Sequence, residues 1–158
     1  MEMDELDVRI STLEPMRVAS FHAFGLSPEL DAAAKLVAWA KPKGYLDDPE
    51  KHRIFGFNNP NPSVGSPNYG YEFWIQIDPE EKVEEDVSVK EFEGGLYAIT
   101  RCHSIETITA TWMKLAEWVE NNSKYQYGTQ EMLEEHVGPF PFEVSEDFTL
   151  DLYCSIRE

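Results

Sequence analysis

Two stretches of the chain, Tyr71-Glu72-Phe73-Trp74-Ile75-Gln76-Ile77 and Leu150-Asp151-Leu152-Tyr153-Cys154-Ser155-Ile156, share one pattern. Apolar residues fill every second position, the period of a strand with one covered face. Tyr71, Phe73, Ile75 and Ile77 make one face of the first, and Leu150, Leu152, Cys154 and Ile156 the same face of the second. These sets suit a sheet covered by helices. The alternate sets place an acid and a large ring two residues apart, Glu72 with Trp74 and Asp151 with Tyr153. A strand face of this kind is usually a solvated one; its recurrence points to a lined cleft.

The two stretches stand 79 residues apart, half of the 158 in the chain, and the offset holds from end to end. Val8 falls on Val87, Glu14 on Glu93, Lys35-Leu36 on Lys114-Leu115, Trp39 on Trp118 and Pro60-x-Pro62 on Pro139-x-Pro141. A rare tryptophan and a Pro-x-Pro pair recurring in register make coincidence the weaker account. The fold expected is α+β: a single domain, 1–158, of two pseudo-symmetric β-α-β modules (1–79 and 80–158). Antiparallel sheets carry helices on one face, with a ligand cleft between the halves. In each half a hairpin is expected first, around Glu14-Pro15 and around Gly94-Gly95. A helix follows, opened by Ser27-Pro28 in one half and by Ser104 with Glu106 in the other. Ile105, Ile108, Trp112, Leu115 and Val119 form the stripe by which the second helix meets its sheet. Two strands close each half, Arg53 to Asn58 and Tyr71 to Ile77, then Met132 to Val137 and Thr149 to Ile156, with Pro60 and Pro139 ending the earlier of each pair.

Thirteen basic residues against thirty acidic give a net charge of −17, which disfavours nucleic acid and anionic membrane surfaces as partners. The start, Met1 to Asp7, has no signal-peptide character and no stretch reaches the length of a membrane span, so a cytoplasmic protein is expected. Cys102 and Cys154 read as separate buried thiols. No nucleotide, hydrolase or zinc motif is present, and the four histidines have no ligand spacing; no cofactor, metal or motif-borne catalytic residue is expected. The chain is instead rich in rings set near acids. Phe55, Tyr71, Trp74, Tyr97, Trp112, Phe140 and Tyr153 accompany Glu72, Glu134 and Asp151, a composition suited to flat hydrophobic cations.

The runs Phe55-Gly56-Phe57-Asn58-Asn59-Pro60-Asn61-Pro62, Tyr69-Gly70-Tyr71-Glu72-Phe73-Trp74-Ile75, Leu133-Glu134-Glu135-His136 and Leu150 to Ile156 resemble the GyrI-like small-molecule-binding domain. That domain also serves as the effector-binding module of multidrug-sensing MerR- and AraC-type regulators. The resemblance spans nearly the whole chain and implies a pocket acid at Glu134, with Glu72 as a second candidate. It implies an aromatic lining of Tyr71, Trp74, Tyr97, Trp112 and Tyr153, to which Phe55, Phe140 and His136 are added. His136 stands where family members often carry an aromatic, and Cys154-Ser155 replaces a commoner aliphatic-proline ending. With no helix-turn-helix in these residues, the function expected is stand-alone binding of a small hydrophobic, aromatic and cationic ligand, with no direct nucleic-acid contact. The alternative is a hydrolase that opens the cyclopropane rings of DNA-alkylating compounds on the same cleft, and a protein-interaction or haem-handling role is a third. The residues set no oligomeric state.

Overall fold

The computed structural model describes residues 7–48, 50–59, 64–103, 107–137 and 149–158. The chain runs β1 (Arg9–Leu13), β2 (Met16–Gly25), α1 (Pro28–Ala40), β3 (Ile54–Asn58), β4 (Tyr69–Ile77), β5 (Ser88–Phe92), β6 (Gly95–Cys102), α2 (Ile108–Asn121), β7 (Gln126–Tyr127), β8 (Leu133–Val137) and β9 (Thr149–Arg157). The strands form one antiparallel sheet in the order β1-β6-β9-β8-β3-β4-β2-β5, with β7 paired to β9. The fold is α+β as expected, but the sheet is continuous where two were expected.

The expected hairpins do not form. β1 pairs with β6 and β5 pairs with β2, so each opening strand crosses to the other half. Glu14-Pro15 and Gly94 are the crossing point. Gly94 has φ 81°, and a Cβ there would run into the Leu13 carbonyl and the Pro15 nitrogen, so the two turns lie backbone against backbone. Hairpin chemistry fixed the turns, but the partner of each strand came from tertiary packing. Two ion pairs then tie the exchanged strands down. Lys90 on β5 reaches across β2 to Glu72 on β4 (2.5 Å), and Arg9 on β1 reaches across β6 to Asp151 on β9 (3.0 Å).

α1 begins at Pro28 with Glu29 and Asp31 in its first turn, both favourable to the helix dipole. Ser27 stands at the N-cap without the expected side-chain hydrogen bond. Pro28, Ala32, Leu36 and Ala40, four apart, are the face buried against β2 and β4. The helix ends through a 3-10 turn at Gly44, φ 76°. In α2, Leu115 and Val119 are buried and Ile108, Trp112 and Trp118 pack beside them, while Lys114, Glu117 and Glu120 face water. Ser104, Ile105 and Glu106, and Pro60 and Pro139, lie outside the described residues.

Three apolar clusters result. Ala19, Phe21, Leu36, Tyr71, Phe73 and Ile75 pack under α1, and Ala98, Cys102, Leu115, Leu150, Leu152 and Cys154 pack under α2. Both lie on one face of the sheet. Both cysteines are buried in the second of them, and neither forms a disulfide among the described residues. The opposite face holds the third cluster: Leu13, Val18, Phe55, Phe57, Trp74, Phe92, Tyr97, Ile99, Leu133 and Tyr153. Each fully buried leucine, isoleucine or phenylalanine here contributes about 1.5–3 kcal/mol to stability.

Candidate functional site

Two central strands, β3 and β8, lie side by side between the areas covered by α1 and α2. On β8, Glu134 and His136 alternate with Leu133 and Glu135, and the ladder puts Glu134 and His136 on the helix side. Glu134 is half-buried there. Tyr71 from β4 donates its hydroxyl to Oε1 at 2.7 Å, and Trp112 from α2 donates its indole N–H to Oε2 at 2.9 Å. Neither donor carries charge. Burial pushes the Glu134 carboxyl above its ordinary range, the two hydrogen bonds pull partly the other way, and the nearby Glu29 charge adds to the rise.

A cavity of about 640 Å³ opens beside this carboxylate, lined by Phe57, Thr109, Trp112, Met113, Tyr127, Met132, Glu134 and Cys154 among others. Its rim is apolar and open to solvent: Met113 is 64 %, Tyr127 39 % and Met132 38 % exposed. Methionines suit a surface that must adapt to ligands of different outline.

The expected lining is divided between the two faces of the sheet. Tyr71, Trp112 and Glu134 come together on the helix side; Phe55, Trp74, Tyr97 and Tyr153 are buried on the far side, ring against ring. Phe57 and Trp74 meet edge to face at 4.9 Å, and Tyr97 and Tyr153 at 5.6 Å. Each polar tip there has a partner within the protein: Trp74 donates to Glu72, Tyr97 to the Glu131 carbonyl, and Tyr153 to Glu135. Glu72 is not in the cavity. It accepts from Ser20, Asn59, Trp74 and Lys90, and although burial alone would raise its carboxyl, these donors hold it below the ordinary value. Asp151 answers it in the other half, held by Arg9 and Arg101, and Glu135 is held by Arg53. His136 lies against Phe73 at 5.3 Å, and burial pushes its imidazole down to about 3, so it is neutral near pH 7. Phe140 lies outside the described residues.

Met113, Tyr127 and Met132 are not part of the lining expected from the sequence, because alternation and ring content mark the strands. A signal for part of the lining does exist. Thr109, Trp112, Met113 and Ala116 recur at three- and four-residue steps, a second apolar stripe on α2 beside the one that meets the sheet.

The model of a family described as integron-associated effector-binding proteins matches residues 9–156. The chain belongs to that family. Its GyrI-like character agrees with solved structures of the same fold. The C-terminal domain of EcmrR superposes with a TM-score of 0.69 at 13 % identity, over 97 % of this chain and 98 % of that one. In the EcmrR–DNA complex the values are 0.71 and 12 %, over 96 % of this chain and 57 % of EcmrR, so the chain spans little more than half of that regulator. A hydrolase from Listeria innocua gives 0.68 at 9 % identity, over 97 % and 93 %. SAV2435 bound to tetraphenylphosphonium gives 0.57 at 8 %, over 96 % and 94 %. These likenesses establish the fold alone. No curated protein matches the chain by sequence. No helix among the described residues is long and apolar enough to cross a membrane.

As a family member the chain is an effector-binding protein, which makes it a small-molecule binder. In EcmrR this fold is one part of a regulator bound to DNA.

Proposed function

We propose that the cavity beside α2 binds a small hydrophobic, aromatic cation and that Glu134 is its counter-charge. One observation carries this reading. Glu72, Asp151 and Glu135 each have a lysine or arginine against the carboxylate, whereas among the described residues Glu134 has only a phenol and an indole. A carboxylate in a cavity with neutral donors alone is left electrostatically unbalanced, and a bound cation supplies the missing charge. The tetraphenylphosphonium bound to SAV2435 on the same fold fits that chemistry. The protein acts in the cytoplasm, and contact with DNA belongs to whatever partner or further domain reads the bound state.

The test uses Trp112, which touches both the carboxylate and the cavity. Titration with a lipophilic cationic dye gives saturable quenching of tryptophan fluorescence at one dye per chain. Trp112→Phe removes most of the signal change. Linear, unsaturating quenching that Trp112→Phe leaves intact would sink the reading.

Two observations favour a second reading, hydrolysis on the same cavity: the raised Glu134 carboxyl, suited to accepting a proton from water, and the Listeria innocua hydrolase of this fold. Mass spectra separate the two readings. A binder returns its ligand unchanged after long incubation, and a hydrolase returns it with one water added.

The duplication is also proposed here. Adding 79 to the bounds of β1, β2, α1, β3 and β4 reproduces β5, β6, α2, β8 and β9 to within two residues, and the sheet order reads as its own reverse under that exchange. Two copies of one unit account for both facts. Superposing the halves with Trp39 on Trp118 should overlay all five pairs of elements.

A further inference from the structure

The two halves differ at the point where they meet. Gly56 pairs with Phe73 on one side and with Glu134 on the other, while Glu134 pairs with Leu152. Phe73 and Leu152 are 79 residues apart, so Gly56 occupies in the first half the place that Glu134 occupies in the second. An ungapped offset of 79 would have put Phe55 there, and the central strands are slipped by one residue against it. Two side chains at this junction would be direct cross-strand neighbours, about 4.5–5.5 Å apart at Cβ. One is a carboxylate and the other is absent.

The vacant side is filled by Tyr71. Its ring lies across β3 directly over Gly56: a Cβ at that position would stand 2.8 Å from Tyr71 Cζ and closer still to the hydroxyl. Only by crossing β3 does the phenol reach from β4 to Glu134 on β8, at 2.7 Å. The atoms that a Cβ would meet are the far end of one side chain, so a side chain at 56 moves the ring and leaves the backbone in place.

We propose, building on the cation-binding reading above, that Gly56 and Tyr71 are positioning residues that set which cations the cavity prefers. With Tyr71 on Oε1 and Trp112 on Oε2, each carboxylate oxygen meets the ligand already hydrogen-bonded. A primary ammonium owes much of its affinity for a carboxylate to short charge-assisted N–H···O bonds, and its N–H groups are costly to bury unmet. Here a phenol and an indole that the fold holds in place each take one acceptor position of the carboxylate, so the ammonium finds fewer short N–H···O bonds than a free carboxylate offers. A quaternary ammonium has no N–H to satisfy and gains the charge attraction undiminished. The arrangement therefore favours cations without N–H donors, and loss of the Tyr71 hydroxyl returns one oxygen to the ligand.

The experiment compares two ligands with one aromatic skeleton, one ending in a trimethylammonium and one in a primary ammonium. Both are titrated at pH 8 into the full chain, the Tyr71→Phe, Gly56→Ala and Glu134→Gln variants, and the Gly56→Ala/Tyr71→Phe double variant. Wild type should prefer the trimethylammonium. Tyr71→Phe should shift the ratio of the two affinities about tenfold toward the primary ammonium, the size of one charge-assisted hydrogen bond. Gly56→Ala should shift it in the same direction, and the double variant no further than Tyr71→Phe alone, because both changes remove one contact. General loosening of the site would weaken both ligands and leave the ratio where it was. If Gly56→Ala does not fold, Tyr71→Phe decides by itself. A ratio unmoved by Tyr71→Phe, with Glu134→Gln still weakening both ligands, overturns the positioning role and leaves cation binding standing. Indifference of both ligands to Glu134→Gln removes both.

Discussion

Glu134→Gln should weaken a lipophilic cation by roughly ten- to a hundred-fold, the loss of one charge-assisted contact of about 1.5–3 kcal/mol in a low-dielectric site. A neutral analogue of the same shape should bind almost as before, because glutamine keeps the outline of the cavity, its oxygen can accept from the Trp112 indole and its amide N–H can donate to the Tyr71 hydroxyl. The pH dependence gives a second readout. Burial raises the Glu134 carboxyl, so cation affinity should be full at alkaline pH and fall with pH before an ordinary carboxylate would titrate. Glu134→Gln should flatten that profile. The free protein should not be destabilised, since a carboxyl whose folded pKa is raised is held at a cost when ionised, and the amide relieves it. Calorimetric titration of the cation and its neutral analogue checks the first expectation. Equal losses for the two ligands would show that Glu134 contributes shape and no charge.

Glu72→Gln should do the reverse. Glu72 is 2 % exposed, receives Ser20, Asn59, Trp74 and Lys90, and fastens the exchanged strand β5 to the sheet. An amide oxygen cannot answer four donors, and one partner of a half-buried ion pair is lost. The expected cost is about 2–4 kcal/mol, a fall of roughly 5–15 °C in the melting temperature of a chain this size. Binding by the variant that remains folded should be unchanged. Acid should imitate the substitution. The folded carboxyl lies below its unfolded value, so its stabilising contribution is complete above the ordinary carboxylate range and drains away as pH falls through and below it. Asp151, held low by Arg101 and Arg9 against the effect of burial, adds to the same loss. Thermal melts of wild type and variant from pH 7 to pH 3 should converge at the acid end. A melting temperature equal to wild type at pH 7 would show that the knot around Glu72 is not holding β5.

The opposite signs of these two results separate acids that look alike in sequence. Glu72 and Glu134 both stand near aromatic residues on strands, and spacing alone ranks neither above the other. Their difference is the partner: Lys90 is 18 residues from Glu72 and arrives only because β5 crosses to the other half. Trp74, Tyr97 and Tyr153 resemble cleft residues in sequence for a related reason. Alternation sorted them correctly onto the face away from the helices, but it carries no information on whether that face closes on itself, and here it does.

From the chain alone came the α+β class, the bounds of β3, β4, β8 and β9 to within two residues, and the stripe by which α2 meets its sheet. Local periods of two and of 3.6 residues, turn chemistry and the GyrI-like motifs are all written in neighbouring residues. Only the tertiary structure set the exchange of β1 and β5, the single continuous sheet and the far-side core. It also set the one-residue slip that puts Gly56 opposite Glu134. Each of these depends on which strand lies beside which, and antiparallel partners are chosen by packing and ion pairs between residues dozens of positions apart.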